Sequence, residues 1–121
     1  MPRNPLDEAV IGELESIDDL TLPSLLSLYF DQSAGDMSEL SGAIGRGETL
    51  AVRQVAHKLK GSSSTVGAAH AAHVASVLEA TAKAGDLTTA NELLDRLRSA
   101  LDETREAFRT RLADPENKDT Q

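Results

Sequence analysis

The sequence predicts an all-α protein: an antiparallel up-and-down four-helix bundle with a short extra helix at its N-terminus. Hydrophobic residues make up 40% of the 121 residues and aromatic residues only 2%. The core must therefore be built from Leu, Val, Ile and Ala, a composition that favours helices over strands. Apolar residues also recur at intervals of three and four along five segments. Short glycine-containing turns separate the longer segments, as between antiparallel neighbours in a bundle.

The first two predicted helices occupy the N-terminal third of the chain. The first covers residues 7–15, with Asp7 as its N-cap. The second begins near Thr21, which we expect to cap it, and Gly35 is a weak point in its middle. The turn at residues 45–47 contains two glycines and ends it. The predicted apolar face of the second helix consists of Leu22, Leu25, Leu26, Tyr29, Phe30, Met37, Leu40 and Ile44.

The remaining predicted helices span residues 48–66, 69–84 and 87–112. Gly67 ends the third helix, and the Gly85-Asp86 pair supplies a C-cap for the fourth helix and an N-cap for the fifth. The apolar residues of the last two helices repeat at helical spacing, and these are Ala71, Val74, Ala75, Leu78 and Ala82, then Ala90, Leu94, Leu97, Leu101, Thr104, Phe108 and Leu112.

Length and composition limit the domain organisation and the classes of function. We expect one domain over residues 6–112, with an N-terminal lead of residues 1–5 and a polar, flexible tail of residues 113–121. A net charge of −8 with few aromatic residues argues against binding to nucleic acid or to anionic membranes. The chain has no apolar run long enough to span a membrane and no signal-peptide pattern. We therefore expect a cytoplasmic monomer, and the lack of cysteine excludes thiol chemistry.

The segment around His57 carries the strongest functional signal. It reads Ala-His-Lys-Leu-Lys-Gly-Ser-Ser-Ser-Thr-Val-Gly-Ala over residues 56–68. At about 100° per residue, an apolar stripe falls on the far side of the predicted helix from His57. Lys60, Gly61 and Ser64 fall within roughly 60° of His57. A solvent-facing imidazole beside an ammonium, a hydroxyl and a residue without a side chain suits the handling of an anion.

The chemistry of these residues favours phosphoryl transfer. A neutral imidazole is a good nucleophile near neutral pH, and we expect Lys58 and Lys60 to favour the neutral form by repulsion. Lys60 can also pair with a phosphoryl group on His57. Gly61 in mid-helix costs about 1 kcal/mol relative to alanine, which indicates a steric role: either close approach by a partner or clearance between helices. The sequence has no Walker loop, nucleotide-binding glycine loop or magnesium-binding carboxylate cluster, so it predicts a carrier and not an ATP-dependent kinase.

Two simpler interpretations remain open at this stage. His57 can be an ordinary surface histidine of a helical bundle. His70 and His73 lie three residues apart and could form a metal site with His57, but neither has a carboxylate four residues further along the chain. We therefore expect surface histidines, no metal site and no cofactor held by the chain itself.

The residues around His57 resemble the signature of histidine-containing phosphotransfer (HPt) domains. The resemblance lies in residues 57–63, His-Lys-Leu-Lys-Gly-Ser-Ser, followed by Gly67-Ala68. The Gly85-Asp86 turn, with Lys83 two residues before its glycine, is similar to the next turn of that family. The likeness extends over about residues 6–112 and includes the predicted helical layout.

This resemblance implies a phosphorelay function. His57 would accept a phosphoryl group from an aspartyl phosphate on a receiver domain and pass it to an aspartate of another receiver. Lys60 would stabilise the phosphoryl group, Gly61 would make room for the receiver, Ser64 would add a hydrogen bond, and Lys83 would lie near the site. The implied partners are receiver domains of response regulators and of a hybrid histidine kinase, which supply the Mg²⁺. The alternative is a module that binds receivers without transferring phosphate.

Overall fold

The computed structural model describes residues 4–113, which form five α-helices and no strand. The helices are α1 (Glu8–Glu15), α2 (Thr21–Gly45), α3 (Thr49–Thr65), α4 (Ala69–Lys83) and α5 (Ala90–Ala113). The all-α prediction is confirmed. Residues 1–3 of the expected lead and residues 114–121 of the expected tail lie outside the described residues. Within the described part of the chain, no helix combines the length and the apolar character needed to cross a membrane.

The helices enclose one aliphatic core. The contact between α3 and α4 is the most extensive; α2 packs on α3, α4 packs on α5, and α2 also contacts α5. α1 packs against α2. The apolar faces predicted for α4 and α5 point into this core, with every predicted residue of α4 buried, but Leu112 of α5 is exposed and does not belong to the core as predicted. Burial of these faces is the main source of stability, as expected for helices of this length.

The start of α2 differs from the prediction. Thr21 is the first residue of the helix and not its cap. Instead, Oδ1 of Asp18 accepts hydrogen bonds from the backbone N–H groups of Leu20 and Thr21, at 2.9 and 2.8 Å, and from the Thr21 hydroxyl. These bonds, the one from the Thr21 hydroxyl foremost, lower the pKa of Asp18. α2 continues through Gly35 without a break and ends at Gly45, as the apolar pattern and the glycine-containing turn predicted.

The start of α5 is three residues later than predicted. Oδ1 of Asp86 accepts hydrogen bonds from the N–H and the hydroxyl of Thr88, at 2.9 and 2.7 Å. This side chain therefore holds residues 86–88 in a turn, as short polar side chains often do before a helix. Regular helix begins at Ala90.

The turn between α3 and α4 is held from outside by α1. Gly67 has a φ of +79°, which a glycine adopts at little cost. Its carbonyl accepts a hydrogen bond of 2.7 Å from the N–H of Asp7. A Cβ on Gly67 would lie 2.9 Å from Cγ1 of Ile11, so α1 packs directly onto the turn. Arg111 of α5 donates to both carboxylate oxygens of Glu15, at 2.9 and 3.0 Å, and so fixes the other end of α1.

A small polar cluster joins α2 to α3 inside the core. The phenol oxygen of Tyr29 lies 2.6 Å from Oγ of Ser63, and the Ser33 hydroxyl donates to the backbone carbonyl of Tyr29. All three side chains are buried. Burial raises the pKa of Tyr29, because it disfavours the phenolate more than the neutral phenol.

Tyr29 is the single tyrosine of the chain, so its titration is directly observable. We expect the phenolate absorbance of the folded protein to appear only above the usual midpoint of about 10. The stabilisation that comes from burying the neutral phenol is present below that pH and is lost as the pH rises through the folded-state value. Absorbance and circular dichroism recorded together against pH measure both effects. Protein unfolded in urea is the control and should titrate at the usual value, whereas a folded protein that does the same would contradict this prediction.

Candidate functional site

His57 projects from the solvent-facing side of α3. Its side chain is 67% exposed, in agreement with the predicted polar face. The residues on the opposite side of the helix are buried, and these are Val52, Val55, Leu59, Ser63 and Val66. The core therefore fixes the backbone beneath the ring while the imidazole itself stays accessible to another macromolecule.

The residue that organises this site is Glu79 of α4, which the sequence analysis did not identify. Its Oε2 lies 2.8 Å from Nδ1 of His57, and its Oε1 lies 2.9 Å from Nζ of Lys60. The hydrogen bond from Lys60 is the largest cause of the lowered pKa of Glu79, and the contact with His57 lowers it further. One carboxylate thus connects the imidazole to the lysine.

A signal for Glu79 does exist in the sequence. It is the only acidic residue of α4, and it lies 12 residues after Gly67, whereas His57 lies 10 residues before it. Residues equally distant from a tight turn lie side by side when the second helix runs back along the first. In the hairpin of α3 and α4, Glu79 therefore lies two residues beyond the position level with His57, so the spacing indicates the neighbourhood of Glu79 and not the pairing itself.

The charges around His57 therefore differ from the expected arrangement of two repelling lysines. Lys60 is paired with Glu79, and Lys58 points towards α2, where its Nζ lies 3.0 Å from Oδ1 of Asp36. Asp36 is almost completely buried, and its hydrogen bond raises the pKa of Lys58. Both ammonium groups already have a carboxylate partner, so these carboxylates offset the repulsion that the sequence led us to expect.

Gly61 borders open space. A Cβ placed on Gly61 meets no atom within 4 Å outside its own helix neighbourhood. The residue is exposed, one turn from His57. Helix packing therefore does not require a glycine here, and the interpretation as clearance between helices of the same chain is wrong. Gly61 therefore leaves unfilled space beside the imidazole of His57.

Ser64 and Lys83 lie further from the ring. Ser64 is seven residues after His57, about 10 Å along the helix axis, and lines a groove of about 470 Å³ with Lys60 and with Asp7 of the α1 cap. Lys83 is exposed in the last turn of α4. Among residues 4–113, no hydrogen bond or ion pair joins Lys83 to His57 or Lys60. Their suggested roles stay predictions.

An apolar groove borders the site on the side of α2. It has a volume of about 210 Å³, and Leu28 on its rim is 54% exposed. Ser62 and Thr65, which lie one and four residues after Gly61 on α3, line its other wall. The surface next to the histidine therefore combines an open backbone with accessible hydrocarbon, which is typical of protein-binding surfaces. We call Gly61, Thr65 and Leu28 the α2 flank.

The histidines do not converge on a metal site. His70 pairs with Glu103 of α5, with 3.0 Å between Nδ1 and Oε1, while His57 pairs with Glu79. Within the described ranges, no group of three or more His, Asp or Glu side chains is arranged to hold a metal ion.

The exposed imidazole of His57 and the ammonium of Lys60 share one carboxylate on an all-helical fold. The comparisons with known proteins identify the family to which the chain belongs. The model of the Hpt domain family matches residues 24–107. The chain therefore belongs to the Hpt domain family, as the resemblance predicted. No curated protein sequence matches the chain.

Two solved structures have the same fold. Histidine-containing phosphotransfer protein B (HptB) from Pseudomonas aeruginosa PAO1 superposes with a TM-score of 0.86 and is 28% identical, over 93% of this chain and 97% of that one. Histidine-containing phosphotransfer protein MtHPt2 from Medicago truncatula superposes with a TM-score of 0.79 at 20% identity, over 97% of this chain and 84% of that one. At 20% identity, the similarity to the second structure is evidence for the fold alone.

Proposed function

We propose that this protein is a phosphorelay intermediate that carries a phosphoryl group on His57 between the aspartates of receiver domains. The observation that carries the proposal is the exposed imidazole of His57, beside Lys60 and the open space at Gly61, within the part of the chain that matches the family. The donor and acceptor are receiver domains of response regulators and of a hybrid histidine kinase.

The transfer is a displacement at phosphorus. A lone pair of the His57 imidazole attacks the phosphorus of an aspartyl phosphate, a P–N bond forms, and the P–O bond breaks to release the carboxylate. The second transfer reverses these bond changes on another receiver. Lys60 offers an ammonium that can pair with the phosphoryl oxygens as charge moves between the two proteins. The Mg²⁺ belongs to the receiver, and the chain itself holds no cofactor.

The α2 flank is the surface on which we expect the receiver to rest. Gly61 leaves room for a backbone to approach, and Leu28 offers exposed hydrocarbon in the groove that it lines with Ser62 and Thr65. Ser64 and Lys83 have lesser roles in this proposal: Ser64 bonds to the docked complex near Lys60, and Lys83 contributes a long-range charge that salt screens.

We further propose that α2 to α5 run up and down in an antiparallel bundle, with α1 closing one end. The short turns between successive helices and the contact between α2 and α5 support this arrangement. The domain then comprises residues 6–112 as a monomer and acts in the cytoplasm where its receivers are made.

Replacement of His57 tests the function directly. Mixed with a phosphorylated receiver, the protein should gain phosphate that is labile to acid and stable to alkali, and His57→Gln should remove it. The helical circular dichroism should not change, because the ring contributes little to the core. His73→Gln alters another exposed histidine and is the matched control. Binding of the receiver without any label on the wild-type protein would instead identify a module that binds receivers without transfer.

Replacement of Lys60 tests the stabilisation of the phosphoryl group. A hydrogen bond to a charged group contributes roughly 1.5–3 kcal/mol, so Lys60→Ala should slow transfer roughly tenfold to a hundredfold. The loss of its partly exposed ion pair with Glu79 should change the free energy of unfolding by less than about 1 kcal/mol. Rapid-quench transfer kinetics and thermal unfolding separate the two effects. Lys60→Arg should retain most of the rate, and Lys83→Ala should reduce it less than Lys60→Ala; an equal reduction by both would exclude a specific role for Lys60.

Replacement of Gly61 tests the docking surface. Gly61→Gln should raise the free energy of unfolding slightly, by up to about 1 kcal/mol, because glutamine is a better helix former and meets no neighbour. Transfer from a receiver should nevertheless fall at least about tenfold, while labelling by the small donor phosphoramidate should persist. Gly12→Gln in α1, also an open helical glycine, is the control and should change stability alone. Unimpaired transfer in Gly61→Gln would remove Gly61 from the docking surface.

A further inference from the structure

We propose that Lys58 is a docking residue that pairs with a carboxylate of the incoming receiver, and that Asp36 is the positioning residue that holds the Lys58 ammonium in place. The inference rests on the proposed function, because the partner is the receiver that exchanges phosphate with His57. It assigns a role to an ion pair that the transfer chemistry itself does not use.

Asp36 is a buried carboxylate with little compensation. Its side chain is 4% exposed, and its Oδ1 lies 3.0 Å from Nζ of Lys58. Within the described residues, its Oδ2 is buried and has no hydrogen-bond partner. Burial of an unpaired oxygen is unfavourable, and a buried ion pair often stabilises a fold no more than apolar side chains of similar size do. Stability therefore does not account for an aspartate here, and a position that breaks the rules of packing points to a function.

Lys58 is the exposed half of the pair. Its side chain is 61% exposed, although its ammonium contacts a carboxylate that the core holds in place. An unrestrained lysine loses side-chain entropy when a partner immobilises it, and this loss weakens binding. Because Asp36 restrains the ammonium beforehand, part of that entropy is already lost in the free protein. An ammonium has three N–H donors, so the contact with Asp36 leaves donors for a partner.

The pair continues the α2 flank towards His57. Leu28 and Thr65 line the apolar groove between α2 and α3. Eight residues after Leu28 on α2, and seven residues before Thr65 on α3, Asp36 meets Lys58. One strip of surface between the two helices is therefore apolar at one end and positively charged at the other, and the charged end directly follows His57 in the chain.

The chemistry of the receiver indicates what Lys58 meets. The receiver supplies Mg²⁺ in the proposed function, and proteins hold Mg²⁺ through carboxylates. These carboxylates arrive together with the aspartate that reacts with His57, one residue from Lys58. The chain has a net charge of −8, and Glu39 of α2 also acts on Lys58 through space. An oriented cation at this position offsets the repulsion locally and favours association with an acidic surface.

The test removes the pair without leaving a buried charge. Asp36→Leu/Lys58→Met keeps the net charge and should be at least as stable as the wild type, because apolar side chains replace a buried pair. The receiver used is the one that labels wild-type His57 fastest in a panel. Its half-saturating concentration should rise about threefold to tenfold, and the difference should shrink as NaCl screens the attraction. The transfer rate at saturating receiver and the labelling by phosphoramidate should not change.

A second ion pair supplies the matched control. Glu106→Leu/Arg109→Met removes an exposed pair of α5, also without a change in net charge, and should leave the half-saturating concentration unchanged. If the Asp36→Leu/Lys58→Met variant behaves like this control, Lys58 does not dock the receiver.

Single variants test the positioning role of Asp36. Asp36→Leu keeps the Lys58 charge but releases the ammonium, so the half-saturating concentration should rise, though less than in the double variant. Lys58→Arg keeps both the charge and the partner of Asp36 and should stay close to the wild type. An Asp36→Leu variant that binds the receiver as well as the wild type does would overturn the positioning role.

Calorimetric binding of unphosphorylated receivers separates this inference from the proposed function. If no receiver of the panel labels wild-type His57, the proposed function fails. The receiver that binds most tightly is then used, and an unchanged dissociation constant in the Asp36→Leu/Lys58→Met variant would overturn the docking role as well. If no receiver binds at all, both proposals fail.

Discussion

The close packing of α3 on α4 is the constraint on which the site depends. Small residues such as Ala56, Ala71 and Ala75 are completely buried and let the two helices approach closely. The turn at Gly67 starts α4 immediately after α3, and α1 covers that turn. With the two helices held in this way, a carboxylate on one lies within hydrogen-bond distance of an imidazole on the other. A displacement of α4 by a single residue would remove Glu79 from His57.

The two ion pairs that flank His57 differ in the ease with which they can open. Lys60 and Glu79 are both partly exposed, so water can separate them and an anion can replace Glu79 as the partner of Lys60. Asp36 is buried, and within residues 4–113 its Oδ2 has no hydrogen-bond partner. Removal of Lys58 would leave a buried carboxylate without any counter-charge, which is strongly unfavourable. Under the proposed function, Lys60 is therefore the lysine that can pair with the phosphoryl group, while Lys58 connects α3 to α2.

The sequence predicted the features that depend on local signals. Apolar spacing and the glycines at positions 67 and 85 placed the helices and their ends to within a few residues, because helix termination is decided by a few neighbouring residues. The cap at Asp18 and the late start of α5 were missed because short side chains of loop residues compete for the same backbone groups. The polar face of His57 followed from periodicity alone.

The partners of the site residues were not predictable in the same way. Glu79 and Asp36 belong to other helices, and only the packing of those helices on α3 brings them to Lys60 and Lys58. The structural reason for the glycine at position 61 could not be predicted from the sequence either. Its sequence context fits both internal clearance and an open surface, and only the positions of neighbouring helices distinguish them.

The site and the core occupy opposite faces of one helix, which separates chemistry from stability. Leu59 and Ser63 are completely buried and attach α3 to its neighbours, Ser63 through the phenol of Tyr29. His57 and Gly61, on the other face, contribute little to the packing of the helices. The exposed face can therefore change without loss of the fold, while the buried face stays constrained. A fold can superpose closely on a plant protein at 20% identity because packing constrains the buried positions more than the exposed ones.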